Sequence, residues 1–478
     1  MTQSPRRDPA YPYAYPRSAT AGELRSRHES LAAGAETGMS EAVAGRLMSV
    51  RRQGKAAFAD LEDWSGRIQL FAQAAVLGED GVEAFSRLGA GDIVGAEGEV
   101  VRTRRGELSV KVAKWTLLAP CLRPMPEKWR GLTDVEARYR QRYLDLMTNA
   151  QARDVVEARA RANVVMRAFL DERGFIEVET PLLQPQAGGA IARPFVTHHN
   201  ALDVDLYLRV APELYLKRLL IGGLEKVYEL NRSFRNEGIS ARHNPEYTML
   251  EAYEAYVDYE HTMALVEELV KAVAGAVGKG REAPEADKIA APGGFRRITM
   301  FEAIAETTGR DLSTEWKAQD REELARVATE LGVAVERRWG SGKILLEVFE
   351  AKAEKHLRDP TFVVGFPKEV SPLAKDHRTI EGFTEHADLV VGGVEIAPIY
   401  SELNDPAEQE RRFRQQAEAR AGGDEEAAPA DQEFLEALRY GMPPAGGLGL
   451  GVDRLLVVLL GLSSIREVIL FPTLRPGA

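Results

Sequence analysis

From Val43 onward the chain breaks into short apolar runs bounded by glycine: Val43 to Val50, Ala56 to Leu61, Arg67 to Phe71, Ile93 to Val101 and Leu108 to Leu118. Five short strands at this spacing predict a small closed barrel of the OB type over 41–120. Residues 1–40, rich in Pro, Tyr, Ala and Arg, show no sustained apolar period beyond a short helical stretch around Leu24 to Leu31, and read as a mostly irregular tail. Cys121 to Leu132, with Pro124 and Pro126, opens a linker that runs to about residue 150.

Beyond the linker the period changes, and 151–478 read as one large domain of mixed strands and helices. Arg, Tyr and Glu recur at helical spacing from Glu136 to Met147, and a longer helix is expected from Asp154 to Arg173, with Gly174 as its stop. Strands are expected at Phe175 to Thr180, Asp205 to Val210, Lys226 to Glu237, Glu246 to Tyr253, Ala387 to Val391, Val394 to Glu402 and Gly447 to Val452. The stretch between Tyr253 and Ala387 reads as mainly helical, an insertion at about 265–375, and 417–430 as a Gly/Ala/acid-rich loop.

At 478 residues, 44% hydrophobic and 28% charged, the chain is long enough for two or three cores, which excludes a disordered or fibrous protein. Its longest apolar stretch, Leu455 to Leu462, falls far short of the ~18 residues a membrane span needs. No membrane segment and no signal peptide are expected, and one cysteine, Cys121, points to a reducing cytoplasm. The net charge of −11 argues against a nonspecific nucleic-acid coat. That average conceals an asymmetry: residues 1–130 carry 19 Lys+Arg against 16 Asp+Glu, a net of +3, which leaves −14 for 131–478. A selective nucleic-acid partner for the first part is therefore not excluded.

The common nucleotide signatures are missing. There is no GxxxxGK[ST] loop, and Gly447, Gly449 and Gly451 do not follow the GxGxxG spacing, so any nucleotide is held another way. No HExxH pair is present, which speaks against a zinc hydrolase. In Lys226 to Tyr253, alternation places Glu229, Asn231, Ser233, Arg235 and Glu237 on one face and Tyr228, Leu230 and Phe234 on the other. Paired as a hairpin with Tyr247, Met249, Glu251 and Tyr253, this is either a solvated face with ordinary ion pairs or a concave surface where an arginine fork grips phosphate and carboxylate. A second hairpin turns at Gly392-Gly393, pairing Val390 with Glu395 and Asp388 with Ala397. Asp388 and Glu395 then share a face, either as exposed strand acids or as ligands for a hard cation such as Mg²⁺.

Four segments carry a resemblance: GGAIARPFVTHHN (188–200), RVAPELYLKRLLIGGLEKVYELNRSFRNEGISARHNPEYTMLEAY (209–253), SELNDP (401–406) and GLGLGVDRLL (447–456). Together with VAGRLMSVRRQGKAAFADLEDWSGRIQLF (43–71) and EARYRQRYLDLM (136–147), they resemble the class II lysyl-tRNA synthetases of bacterial type, and the resemblance covers most of the chain. It implies an α+β fold, with an N-terminal OB-fold anticodon-binding barrel before a catalytic domain whose antiparallel sheet is flanked by helices. The implied activity is ligation of lysine to its tRNA through lysyl-adenylate, by a cytoplasmic homodimer using ATP and Mg²⁺. The helix and strand ending at Pro181 would form much of the dimer contact.

The resemblance also implies residue roles. Arg235 would bridge the α-phosphate and the amino acid carboxylate, and Arg454 would hold the γ-phosphate. Tyr247 would stack on adenine, with Glu237, Arg242, His243 and Asn244 on the nucleotide, and Asp388 and Glu395 would hold Mg²⁺. The lysine ammonium would meet Glu213 and Glu402, with the Tyr253 hydroxyl nearby and Tyr400 along the aliphatic stem. Glu251 and the Gly189 backbone would take the α-amino group. An aspartate enzyme would need a basic residue where these acids stand. In the barrel, Phe58 and Gln69 resemble positions that stack on and read the central anticodon base, with Glu107 adding a contact; the alternative for Phe58 is plain barrel core.

One departure stands out. Where the family often reads Gly-Asn-Gly, this chain has Ala397, Pro398 and Ile399, which removes an asparagine that would help hold the substrate carboxylate. Alternation also puts Glu395 and Glu402 on opposite faces, so both reach one site only through a bulge, expected at Pro398. Competing readings are a ligase that lysylates a protein, a diadenosine polyphosphate synthase, or a regulatory paralogue that keeps the fold.

Overall fold

In the computed structural model of the chain the described residues are 11–126, 132, 134–186, 188–190, 192–278, 283–421 and 430–475. Two compact units divide between residues 131 and 132. In the first, strands β1 (Glu36–Gln53), β2 (Ala56–Asp63), β3 (Gly66–Gln73), β4 (Ile93–Arg102) and β5 (Leu108–Ala119) close in the order β1-β2-β3-β5-β4. Alternation decides which side chains fill the barrel: Ala57, Ala59 and Leu61 of β2 are buried beside Ile68, Leu70 and Ala72 of β3, and Phe58 and Phe71 point the other way. A helix that alternation did not reveal, Ala74–Ser86, plugs one side with Val82 and Phe85.

The tail is more ordered than its composition suggested, although residues 1–10 lie outside the described residues. Thr20 and Glu23 form a reciprocal capping box that starts the helix Ala21–Arg27, and Ala21 and Leu24 bury themselves in the barrel core. The first strand also begins at Glu36, ahead of Val43.

In the second unit, β6 (Ile176–Glu177), β7 (Leu183–Gln184), β8 (Val196–His199), β9 (Val204–Leu208), β10 (Lys226–Phe234), β11 (Glu246–Ala255), β12 (Arg296–Thr299), β13 (Thr361–Pro367), β14 (Phe383–Val391), β15 (Val394–Ser401) and β16 (Ala445–Gly451) form two sheets. The large one runs β12-β13-β14-β15-β16-β11-β10-β6, antiparallel except at its two outer pairs; the small one is β7-β9-β8. Helices Ala150–Asp171, Tyr259–Val277 and Val452–Leu459 pack on one face of the large sheet through Met166, Val266, Leu269 and Leu455. That leaves the opposite face for chemistry.

The expected helix over 136–147 is two helices, Val135–Arg140 and Arg142–Thr148, and the expected long helix starts at Ala150. The stretch between β11 and β14 is not helical throughout, since β12 and β13 come from it and extend the large sheet. The run TFVVGFP is apolar at nearly every position because β13 is covered on both faces, so it lacks the alternation that marks a strand. Most of the loop expected at 417–430 lies outside the described residues; helix Pro406–Ala421 enters its first part.

Candidate active site

The first predicted hairpin forms as β10 against β11, with Glu229 opposite Glu251, Asn231 opposite Met249 and Ser233 opposite Tyr247. The strand stops at Phe234, so Arg235 and Glu237 lie on the outgoing loop, where the Arg235 amide donates to the Pro245 carbonyl at 2.9 Å. Glu229 is a structural member of the face: it accepts from Arg209 Nη1 and Thr180 Oγ1, each at 2.6 Å, and is buried with Arg209.

At the second hairpin Gly392 and Gly393 both take positive φ, 64° and 76°, which suits the two-residue turn. Val391 pairs with Val394 and Val390 with Glu395, but Leu389 then pairs with Ala397 and Asp388 with Pro398. The bulge is therefore at Ile396 and not at Pro398, and Asp388 does not face Ala397. One extra residue there brings Glu395 into phase with Pro398, Tyr400 and Glu402, which resolves the conflict between Glu395 and Glu402.

Two cavities flank this face. One is lined by Gly189, Glu213, His386, Asp388 and Tyr400; the other by Glu237, Arg242, His243, Asn244, Tyr247 and Arg454. Arg235, Glu395 and Pro398 line both. Arg235 stands at the junction with its Nε buried and unpartnered, and its guanidinium 5.4 Å from the centre of the Tyr247 ring, whose own hydroxyl is also buried without a partner. Buried donors left without an acceptor are costly, which marks a place where a ligand supplies what the protein does not.

Around the second cavity, Arg454 Nη1 lies 3.4 Å from Glu395 Oε2 and its Nη2 lies 3.4 Å from His243 Nε2. Burial, and then the Arg454 charge, hold the His243 imidazole below its ordinary range. The backbone beside Arg454 is fixed because buried Asp453 accepts from the Thr248 amide at 2.7 Å and pairs with Arg159. Asn244 braces the loop, donating to the Glu246 carbonyl at 2.6 Å and accepting from the Thr473 amide at 3.2 Å. Glu237 and Arg242 are exposed.

In the first cavity Gly189 has φ +87°, and a Cβ added there would lie 3.3 Å from the Cβ atoms of Ala211 and Glu213, so only glycine sits there without strain. Glu251, Tyr253 and Glu402 lie behind the lining, nearly closed from solvent. The Tyr253 hydroxyl donates to Glu251 Oε2 at 3.2 Å. Burial, with Glu213 second, pushes the Glu251 carboxyl up to about 8. Burial likewise pushes Glu402 up to about 7, against the pull of the Lys217 ammonium. Space for this cluster comes from β16, whose AGGLGLG sequence presents almost no side chain: a Cβ on Gly447 would fall within the Glu402 carboxylate and 2.7 Å from the Tyr253 ring.

Lys217 went unrecognised in the sequence, and it amends the argument for lysine. A basic residue does stand among the acids: its side chain is fully buried, between Glu213 and Glu402. The Glu213-Lys217 spacing of four on a helix was the available signal. A second surprise is His386, stacked between Phe366 and Tyr400 at centroid distances of 4.0 and 4.5 Å, with Nδ1 2.8 Å from Ser371 Oγ and Nε2 2.8 Å from Asp388 Oδ1.

The carboxyls of Asp388 and Glu354 are both raised above their ordinary range. Burial is the main cause for Asp388 and Glu354, and Glu395 adds to both. Clustered carboxylates of this kind suit a hard cation. Among the described residues no three His, Cys, Asp or Glu side chains form a complete metal cage, so such a cation would take its remaining ligands from phosphate oxygens and water.

In the barrel, Phe58 stacks on Phe71 with centroids 4.9 Å apart and planes 6° from parallel, and lies outside the barrel core. With Gln69, Glu107, Arg51, Arg104 and Lys111 it lines a single concave surface. Gln69 accepts from Ser109 Oγ at 3.1 Å, and Glu107 pairs with Arg25 at 3.3 Å.

A sheet with an acid-floored cavity on one side of an arginine and a basic, aromatic cavity on the other, joined to an OB barrel, is the layout of an enzyme that couples a nucleotide to a small cationic substrate. Residues 134–475 match the family of class II tRNA synthetases (D, K and N), and residues 42–118 match the OB-fold nucleic acid binding domain. The chain belongs to the class II tRNA synthetases of that D, K and N group. The lysine–tRNA ligase of Moorella thermoacetica is 52% identical over 466 residues, covering 97% of this chain and 93% of that protein. The lysine–tRNA ligase of Xanthomonas oryzae pv. oryzae is 49% identical over 479 residues, covering 98% and 94%.

Proposed function

We infer that the chain is a lysine–tRNA ligase, which activates lysine with ATP and passes it to the 3′-end of its tRNA. The observation that carries this is Arg235, common to both cavities and short of an acceptor. One guanidinium there holds the lysine carboxylate and the ATP α-phosphate within reach of each other. The carboxylate oxygen bonds to the α-phosphorus as the bond to the bridging oxygen breaks, and pyrophosphate leaves with the electron pair. No protein nucleophile is needed, so the rate gain comes from positioning and from stabilising charge on the transferring phosphoryl group.

Tyr247 offers its ring to adenine, Arg454 and His243 reach the outer phosphates, and Glu237, Arg242 and Asn244 frame the nucleotide. Asp388 and Glu395 would hold Mg²⁺, which when bound spreads the negative charge of the phosphates. Glu213 and Glu402 receive the ε-ammonium, Tyr253 and Tyr400 frame the stem, and Glu251 with the Gly189 backbone takes the α-ammonium. In the barrel, Phe58 stacks on an anticodon base read by Gln69 and Glu107.

Exposed Val164, Ile176, Leu182, Leu183, Val196 and Val204 form the surface on which a second copy would sit, making the homodimer. No helix among the described residues is long and apolar enough to cross a membrane. Lysine-dependent exchange of pyrophosphate into ATP, followed by charging of purified lysine tRNA, tests the function. Exchange with lysine and charging are expected; no exchange with any amino acid would overturn it.

A further inference from the structure

Lys217 has no part in the mechanism above, yet it is buried among the acids behind the amino acid pocket. It projects from helix Glu213–Ile221, and its Nζ lies 2.7 Å from Glu213 Oε1, 2.5 Å from Glu402 Oε2 and 3.4 Å from the Leu373 carbonyl oxygen. We propose that Lys217 is a positioning residue that determines specificity: its ammonium is a resident counter-ion that draws Glu213 and Glu402 together and leaves their remaining oxygens for one further ammonium, that of the substrate. This rests on the lysine reading given above.

Geometry supports the division of labour. Neither buried oxygen of Glu402 has a hydrogen-bond partner; Oε2 is in ion-pair contact with the Lys217 ammonium, and Oε1 is left without one. Glu213 gives Oε1 to Lys217 and still lines the cavity. The two acids come from a helix and from the residue that follows β15, and the Lys217 ammonium ties them together. A free cation in the pocket would attract an acidic amino acid, but this one is already claimed by two carboxylates and is not on offer.

Charge supports it as well. Glu213, Glu251 and Glu402 bring three carboxylates against the single ammonium of Lys217, and a lysine substrate adds two ammonium groups together with a carboxylate that the Arg235 guanidinium balances. The pocket is neutral when filled only if Lys217 is present. Without it, a buried acid would remain uncompensated and would take up a proton. The groups facing this point are Glu213 and Lys217 from the helix, Glu251 and Tyr253 from β11, Tyr400 from β15 and Glu402 just past its end, with the Glu229–Arg209 pair behind. Lys217 pulls against the burial that raises Glu402, so its loss lets Glu402 hold a proton to higher pH, and substrate must displace that proton.

The test is Lys217→Met, assayed by lysine-dependent ATP–pyrophosphate exchange from pH 6.5 to 9, with an ATP-induced thermal shift to establish folding. The KM for lysine is expected to rise about tenfold or more near pH 7, with KM for ATP and kcat within about threefold, and to recover as pH rises. The double variant Lys217→Met/Glu402→Gln removes the buried pair together; it is expected to fold, with a raised KM for lysine and without the steep pH dependence. A folded Lys217→Met enzyme with the parent's KM and pH profile overturns the proposal. So does failure of both variants to fold, which would make Lys217 purely structural. Absence of lysine-dependent exchange in the parent protein would instead overturn the lysine reading itself.

Discussion

Asp388 on β14 stands directly opposite Pro398 on β15, with Ile396 bulged out of the ladder between Pro398 and Glu395. Pro398 lines both cavities, and by the resemblance drawn from the sequence it stands where an asparagine is expected. Pro398→Asn would place an amide beside the carboxylate that the proposed mechanism assigns to Arg235. One added hydrogen bond contributes about 1 kcal/mol, so the KM for lysine in pyrophosphate exchange should fall roughly fivefold. An unchanged KM would mean that the carboxylate lies out of reach of this side chain.

Arg235→Ala removes, among the described residues that line both cavities, the one with an unpartnered donor. Adenylation should drop on the order of a thousandfold or more, since its charge acts mainly in the transition state. Single-turnover formation of lysyl-adenylate measures this directly. Arg235→Lys keeps the charge but not the fork, and should recover only a small part of the loss.

Glu251 governs a pH effect. Its carboxyl is raised from 4.5 to about 8 by burial, so the folded protein retains a proton that the unfolded chain has released. Through this group, stability is at its full value below about 4.5 and is lost progressively as pH climbs through about 8. Glu251→Gln cannot ionise, so calorimetry of the empty protein at pH 8.5 should give a Tm about 3 °C above the parent, with little difference at pH 5. The same variant should bind lysine more weakly, because the α-ammonium loses its carboxylate.

Phe58→Ala separates the two units functionally. Stacking on an aromatic ring contributes about 1–3 kcal/mol per base, so KM for tRNA in the charging reaction should rise about fivefold or more. Lysine-dependent exchange without tRNA should be unaffected. If charging were untouched, Phe58 would not be the anticodon platform.

Alternation disclosed most of this fold because most of its strands have one wet face. It failed at β13, buried on both sides, and at the bulge, since inserting Ile396 leaves no mark in residue type and depends on how β15 meets β14. In the site, the residues gathered by one hairpin could be read as a set, as at Tyr247 and Glu251. Lys217 could not, because its partner Glu402 is distant in the chain and a helical Glu-Lys pair ordinarily faces water. The tail was misjudged for a related reason: Ala21 and Leu24 are too few to make a period, yet the barrel has room for those two.

The glycines of β16 give the pocket an unusual kind of vulnerability. At Gly446 and Gly447 an added methyl group would invade Thr262 on one side and Glu402 with Tyr253 on the other. What heredity must preserve along this strand is vacancy, so even the mildest chemical change there acts as an obstruction, and no adjustment of charge or polarity elsewhere can give the room back.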